Sequence, residues 1–132
     1  MKYRLLRLFL LASALAWGIS IVAVFLPWSV AVNSLQSMGA GQIPNDPMLN
    51  YWLRMAAGGF TFVGIIFLLI GINPERYRNI IGLMAVLMFF EGLIILFSGL
   101  HLHLQPFPFY SDASFCILSG LAIFYLRNEK KI

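Results

Sequence analysis

Glu91 stands twelfth in the 21-residue apolar run Ile80–Leu100, so a helix through that run carries a carboxyl group near the middle of a bilayer. Placing an acidic side chain there costs roughly 2.5–3.5 kcal/mol on insertion scales, so it should face other helices or a hydrated cavity, not lipid. Three kinds of chemistry are open to it. It can act as an acid hydrogen-bonded across helices, to Ser20 or Trp17 in the first apolar run or to Ser119 in the last. It can pair with Arg54 in a polar pocket that opens outward. It can carry protons in an exporter. Distance weighs on the second reading: at about 1.5 Å rise per residue, Arg54 and Glu91 differ in depth by roughly 9 Å. Contact needs two extended side chains or a bridging water or ligand. Arg54 itself lies near the outer start of its run, where Cβ atoms leaning toward the helix N-terminus aim it at the interface; the bland alternative is an arginine snorkelling there.

A second polar group gathers around Pro106-Phe107-Pro108-Phe109-Tyr110. His101, His103 and Asp112 are donors of the kind zinc or iron accepts. The two histidines are only two residues apart, which puts them on opposite sides of a continuing helix or strand, so they are weak candidates and no metal site is expected. Asp112 or Ser111 is expected to cap the last helix, with Asp112, Cys116 and Ser119 forming a polar stripe along it. Tyr51, Trp52, Phe107, Phe109 and Tyr110 read as an outer aromatic belt, and Tyr51, Trp52 and Tyr110 join Arg54, Glu91 and Asp112 as candidate ligand contacts. The chain shows no nucleophile–base pair, phosphate loop or metal motif. With one cysteine, Cys116, paired-thiol chemistry and an internal disulfide are excluded. No cofactor is expected, and the chain is not expected to be an enzyme.

What must position these groups follows from composition. The 132 residues are 61% hydrophobic and only 11% charged, less than half the charge of an ordinary soluble domain at about 25%. That argues against a soluble enzyme or a nucleic-acid binder and for an integral membrane protein. A hydrocarbon core of about 30 Å needs ~20 apolar residues in a helix, and four runs come near or past that length, at about 5–26, 51–72, 80–100 and 110–126. The formal charge of +4 is punctuation between those runs. Lys2, Arg4, Arg7, Arg76, Arg78, Arg127, Lys130 and Lys131 all fall on one side of a four-span topology, and Arg54 alone on the other. Basic residues favour the cytoplasmic side, so both termini are expected to be cytoplasmic, with the chain in the inner (cytoplasmic) membrane.

Residues 73–79 make a tight cytoplasmic turn, which joins the second and third spans as an antiparallel hairpin. In the first outer segment Trp28, Val32, Leu35 and Met38 recur at helical spacing, opposite Ser29, Asn33, Gln36 and Ser37. This predicts a short amphipathic helix over 28–38, lying on the membrane interface or capping the bundle mouth. Gly39 to Pro47 reads as loop. Small residues should mark the helix contacts, because close packing drives association in lipid. They recur as Arg54-Ala57-Thr61-Gly64-Leu68-Gly71 in the second span and Gly82-Ala85-Phe89-Gly92-Leu96-Gly99 in the third, and the two stripes are expected to face each other.

Tyr51-Trp52-Leu53-Arg54-Met55, Glu91-Gly92, and Pro106 to Asp112 followed by Phe115-Cys116 resemble the BphX-like group of small bacterial four-span membrane proteins, over Asn50 to Gly120. The resemblance implies the four-span architecture and a bacterial membrane, and it implies no catalytic residue. Small multidrug exporters share the size and a single intramembrane glutamate, but theirs lies in the first helix. The sequence thus predicts an all-α, single-domain, four-helix antiparallel bundle across 1–132. Its expected function is non-enzymatic binding of a small anionic or amphipathic ligand in an outward-facing pocket. The alternatives are an accessory subunit of a larger membrane complex and a proton-coupled exporter. Its partners are the lipid bilayer and either that complex or further copies of itself, and no nucleic acid.

Overall fold

The computed structural model describes residues 1–128; Lys130 and Lys131 of the charge count above lie outside them. Helices α1 (Lys2–Gly18), α2 (Ile21–Phe25), α3 (Trp28–Ser37), α4 (Pro47–Ile72), α5 (Arg78–His101) and α6 (Pro106–Leu126) follow one another along the chain. Four segments are long and apolar enough to cross a membrane: Lys2–Phe25, Pro47–Ile72, Arg78–His101 and Pro106–Leu126. The fold is an all-α four-helix bundle of a multi-pass membrane protein. Leu83, Phe90, Ile94 and Phe97 are among the large apolar side chains exposed on its outside, a surface compatible with lipid contact.

Long-range contacts fix the directions. Arg7 Nε donates to the Gly71 carbonyl oxygen, Arg78 donates to that of Asn128, and Lys2 Nζ lies 6.0 Å from the Tyr125 ring centroid. The start of α1, the α4–α5 turn and the end of α6 therefore share one end of the bundle, called here the terminal end. The basic residues Lys2, Arg7, Arg78 and Arg127 gather there.

The small-residue stripes are where they were expected, but they do not face each other. α4 packs against α1 and α5 against α6, with a further contact between α1 and α6. A Cβ on Gly64 would collide with the backbone of Gly18 and come within 3.0 Å of the Ala14 carbonyl oxygen. On the other pair, a Cβ on Gly120 would lie 2.9 Å from the Ala85 oxygen and the Phe89 nitrogen, and one on Gly92 2.9 Å from the Ile117 nitrogen. The expected α4–α5 hairpin contact fails because each stripe finds a partner with its own small residues: Ala14 and Gly18 on α1, Cys116 and Gly120 on α6. Consecutive helices α4 and α5 are left standing apart. The core between the pairs is Leu6, Leu10, Phe67, Ile70, Ile81, Ala85, Met88, Cys116 and Ile123.

The ends obey local chemistry. Asp46 caps α4, its carboxylate accepting from the Met48 N–H at 2.8 Å ahead of Pro47 in the first turn, an arrangement that favours both residues. The helix therefore starts four residues before the expected Tyr51. α3 occupies almost the expected range, with Ala31 buried and Trp28, Val32, Leu35 and Met38 half-buried, so its apolar side is turned to the protein. It ends where Ala40 N–H bonds the Leu35 oxygen and Gly39 N–H the Gln36 oxygen. That paired closure needs a left-handed residue, supplied by Gly39 at φ 101°. α5 ends the same way, with Leu104 bonded to Gly99 and His103 to Leu100. Here a histidine, His103 at φ 51°, holds the position glycine usually takes.

Candidate functional site

The first span is not a continuous helix. After Gly18 the chain switches to shorter-range bonding: Ser20 N–H to the Trp17 oxygen, Val22 to Ile19, and Ala23 to Ser20. Ile19 (φ −60°, ψ −20°) and Ser20 (φ −58°, ψ −18°) have the dihedrals of a tighter, three-residue-per-turn helix. Irregular backbone at membrane depth is tolerated where it is buried in protein or lines a cavity, and this break does line one. Gly18 beside Ser20 in an apolar run was the available sequence signal.

Arg54 secures the far side of that break. A helix leaves its last four carbonyls without internal partners, and Pro27, two residues after α2, has no N–H to offer. Val22 is satisfied by the Leu26 N–H. Arg54 Nη1 reaches the next two, Ala23 at 3.1 Å and Val24 at 2.6 Å, while its Nε donates to Asn50 Oδ1 at 3.0 Å. The guanidinium is thus a positioning group between α2 and α4. It is absent from the cavity described next, and the Arg54–Glu91 pair considered from the sequence does not form.

Glu91 lies half-buried on the wall of a cavity of about 390 Å³ lined by Ala16, Trp17, Ser20, Phe60, Glu91, Ile95, Asp112, Phe115 and Cys116. Four segments meet there. α5 and α6 run antiparallel with Gly92 against Cys116, which sets Glu91 level with Cys116, and Asp112 lies one turn farther from the terminal end. Glu91 and Asp112 therefore share one space, with neither carboxyl hydrogen-bonded or ion-paired among the described residues. The partners foreseen for Glu91 are divided: Trp17 and Ser20 line the same cavity, whereas Ser119 is buried elsewhere. Trp17 tilts against Phe60, ring centroids 5.2 Å apart, and its indole N–H is buried with no hydrogen-bond partner among the described residues.

Asp112 does not cap α6. That helix begins at Pro106 and leaves helical geometry at Phe107 (φ −94°, ψ 134°), so the regular part starts at Pro108, and Asp112 lies inside it. Ser111 donates to the Pro108 oxygen instead of accepting from a helix N–H. Two prolines so close to the start moved the helix upstream of the polar residues. Tyr51, Trp52 and Tyr110 are all outside the cavity and exposed, Tyr51 edge-on to Trp52 and Tyr110 stacked at 4.2 Å on Phe109, which is itself buried and so is no part of an exposed belt. Because His103 leaves the helix in the left-handed conformation, His101 and His103 do not continue one element. Both are exposed, and the described residues hold no group of three or more His, Cys, Asp or Glu able to bind a metal.

The site missed in the sequence is the aromatic wall of Phe60 and Phe115. Neither residue differs in type from the apolar residues around it, and only the helix pairing selects them. No protein-family model, no curated protein and no solved structure matches this chain.

Proposed function

We propose that this protein is a non-enzymatic membrane protein that binds a small amphipathic molecule in the cavity beside Glu91. The observation carrying this reading is that a mid-span carboxyl, costly to place in hydrocarbon, borders about 390 Å³ of space together with Asp112, Ser20 and three aromatic rings. Ligand sites are concave, mostly apolar and furnished with a few convergent polar groups, and this cavity fits that description. The preference for an anionic ligand rested on Arg54, and with Arg54 bonded to backbone oxygens that preference falls. The clustering of basic residues at the terminal end supports an orientation with both termini cytoplasmic, in the inner membrane of a bacterium, in keeping with the BphX-like resemblance. A periplasm-active reporter that works when fused to the C-terminus would overturn that orientation.

Binding is tested by titrating the purified chain with amphiphiles of positive, zero and negative head charge and following thermal unfolding. At least one should raise the transition temperature, and Glu91→Gln should remove the rise in a protein that still folds. If none does, and stoichiometric partner chains are extracted with the protein in mild detergent, the accessory-subunit reading replaces this one.

A further inference from the structure

We propose, resting on the binding reading above, that the occupant is a lipophilic organic cation whose hydrocarbon arm lies in a second cleft between α4 and α5. The second cleft, of about 200 Å³, is lined by Trp17, Phe60, Val63, Phe67, Met84, Leu87, Met88 and Glu91. Trp17, Phe60 and Glu91 line both spaces, so the two meet at the carboxyl. The second is otherwise apolar, and its two methionines are adaptable side chains that follow a ligand's shape. It exists because α4 and α5, adjacent in sequence, each pack on another helix.

Charge selects the head group. Among the described residues, the ionisable groups lining the two spaces are Glu91, Asp112 and the thiol of Cys116, with no arginine, lysine or histidine on either wall. An anionic head would stand beside two carboxyl groups and find no cationic side chain among these lining residues to pair with. A cation supplies the counter-charge that two carboxyl groups in a low-dielectric space lack. The faces of Trp17, Phe60 and Phe115 add the quadrupole attraction that ammonium groups find over aromatic rings. An arm reaching out between α4 and α5 points to arrival from the acyl region of the bilayer and not from the aqueous face. The head then settles between Glu91 and Asp112.

The test uses the full chain in uncharged phosphatidylcholine nanodiscs, titrated with decyltrimethylammonium, decyl sulfate, decanol and tetramethylammonium. The ten-carbon cation is expected to raise the thermal transition and bind most tightly, and Glu91→Gln should weaken it by roughly tenfold or more, as for loss of a charged partner. Leu87→Trp, which fills the mouth of the α4–α5 cleft, should weaken decyltrimethylammonium and leave tetramethylammonium unchanged. If decanol or decyl sulfate binds as well as the cation, the charge assignment is overturned while the binding reading stands. If no compound binds, both fall. Unaltered binding of the long cation to Leu87→Trp overturns the placement of the arm. Should Glu91→Gln fail to fold, Asp112→Asn and the comparison of head groups on the native chain decide the matter.

Discussion

The guanidinium of Arg54 donates to the Val24 carbonyl oxygen at 2.6 Å, joining α4 to the end of a helix thirty residues earlier in the chain. That bond makes the only arginine on the far half of the molecule part of the scaffold. Arg54→Ala should therefore lower stability by about 2–3 kcal/mol, the range for charged hydrogen bonds whose acceptors are left unpaired, while ligand affinity in the folded fraction changes little. Arg54→Lys should recover only part of the loss, since an ammonium cannot reproduce the fork that serves Asn50, Ala23 and Val24 together. Thermal unfolding and ligand titration on the same samples separate the two quantities. A large fall in affinity with unchanged stability would show Arg54 to be a ligand contact after all.

Gly64 and Gly58 offer a matched pair on one helix. Gly64→Ala puts a methyl group onto the Gly18 backbone and should cost about 2 kcal/mol or more through overpacking. Gly58→Ala meets nothing within 4 Å and should be neutral or stabilising by up to ~1 kcal/mol, because alanine restricts the unfolded chain. Equal effects at the two positions, measured by unfolding in detergent, would refute the close α1–α4 approach.

The buried indole N–H of Trp17 has no acceptor among the described residues, a condition that costs about 1–3 kcal/mol. Trp17→Phe removes that donor while keeping a ring against Phe60. Its stability should be within about 1 kcal/mol of the native chain, well short of the 3–5 kcal/mol typical of deleting a core aromatic. A loss in that larger range would mean the N–H has a partner in the membrane-embedded protein.

Cys116 is buried at 3% exposure but lines the main cavity, so it is a built-in reporter. N-ethylmaleimide should label it roughly tenfold or more slowly than a cysteine placed at exposed Gly41 in a Cys116→Ser background, as expected for an occluded thiol. Saturating decyltrimethylammonium should slow it further. Mass spectrometry of the intact protein reads both, and a rate indifferent to the ligand would place the occupant away from this wall.

The spans were legible because length and apolarity alone dictate a membrane helix, and the period of Trp28, Val32, Leu35 and Met38 was enough to place α3. Glu91 was legible for the same reason: one acid in an apolar run stands out. Partner choice was not legible. The stripe through Gly64 is as compatible with α5 as with α1 on spacing, and only the shape of the opposing surface, Ala14 and Gly18, decides between them. The acceptors of Arg54 were not legible, because they are backbone oxygens, freed by a helix break and a following proline, which have no identity in the sequence. The Asp46-Pro47 start of α4, in contrast, is written in the residues, an aspartate cap followed by proline in the first turn.

The separation of α4 from α5 has a consequence for the chain as an object that can be cut. Residues 1–73 contain both members of the α1–α4 pair, and residues 75–128 contain both members of the α5–α6 pair, so a break in the backbone at Pro74 disrupts neither. Two polypeptides made separately in one cell should each insert as a stable hairpin-like unit and find each other through the α1–α6 seam, reconstituting the cavity from pieces that share no peptide bond.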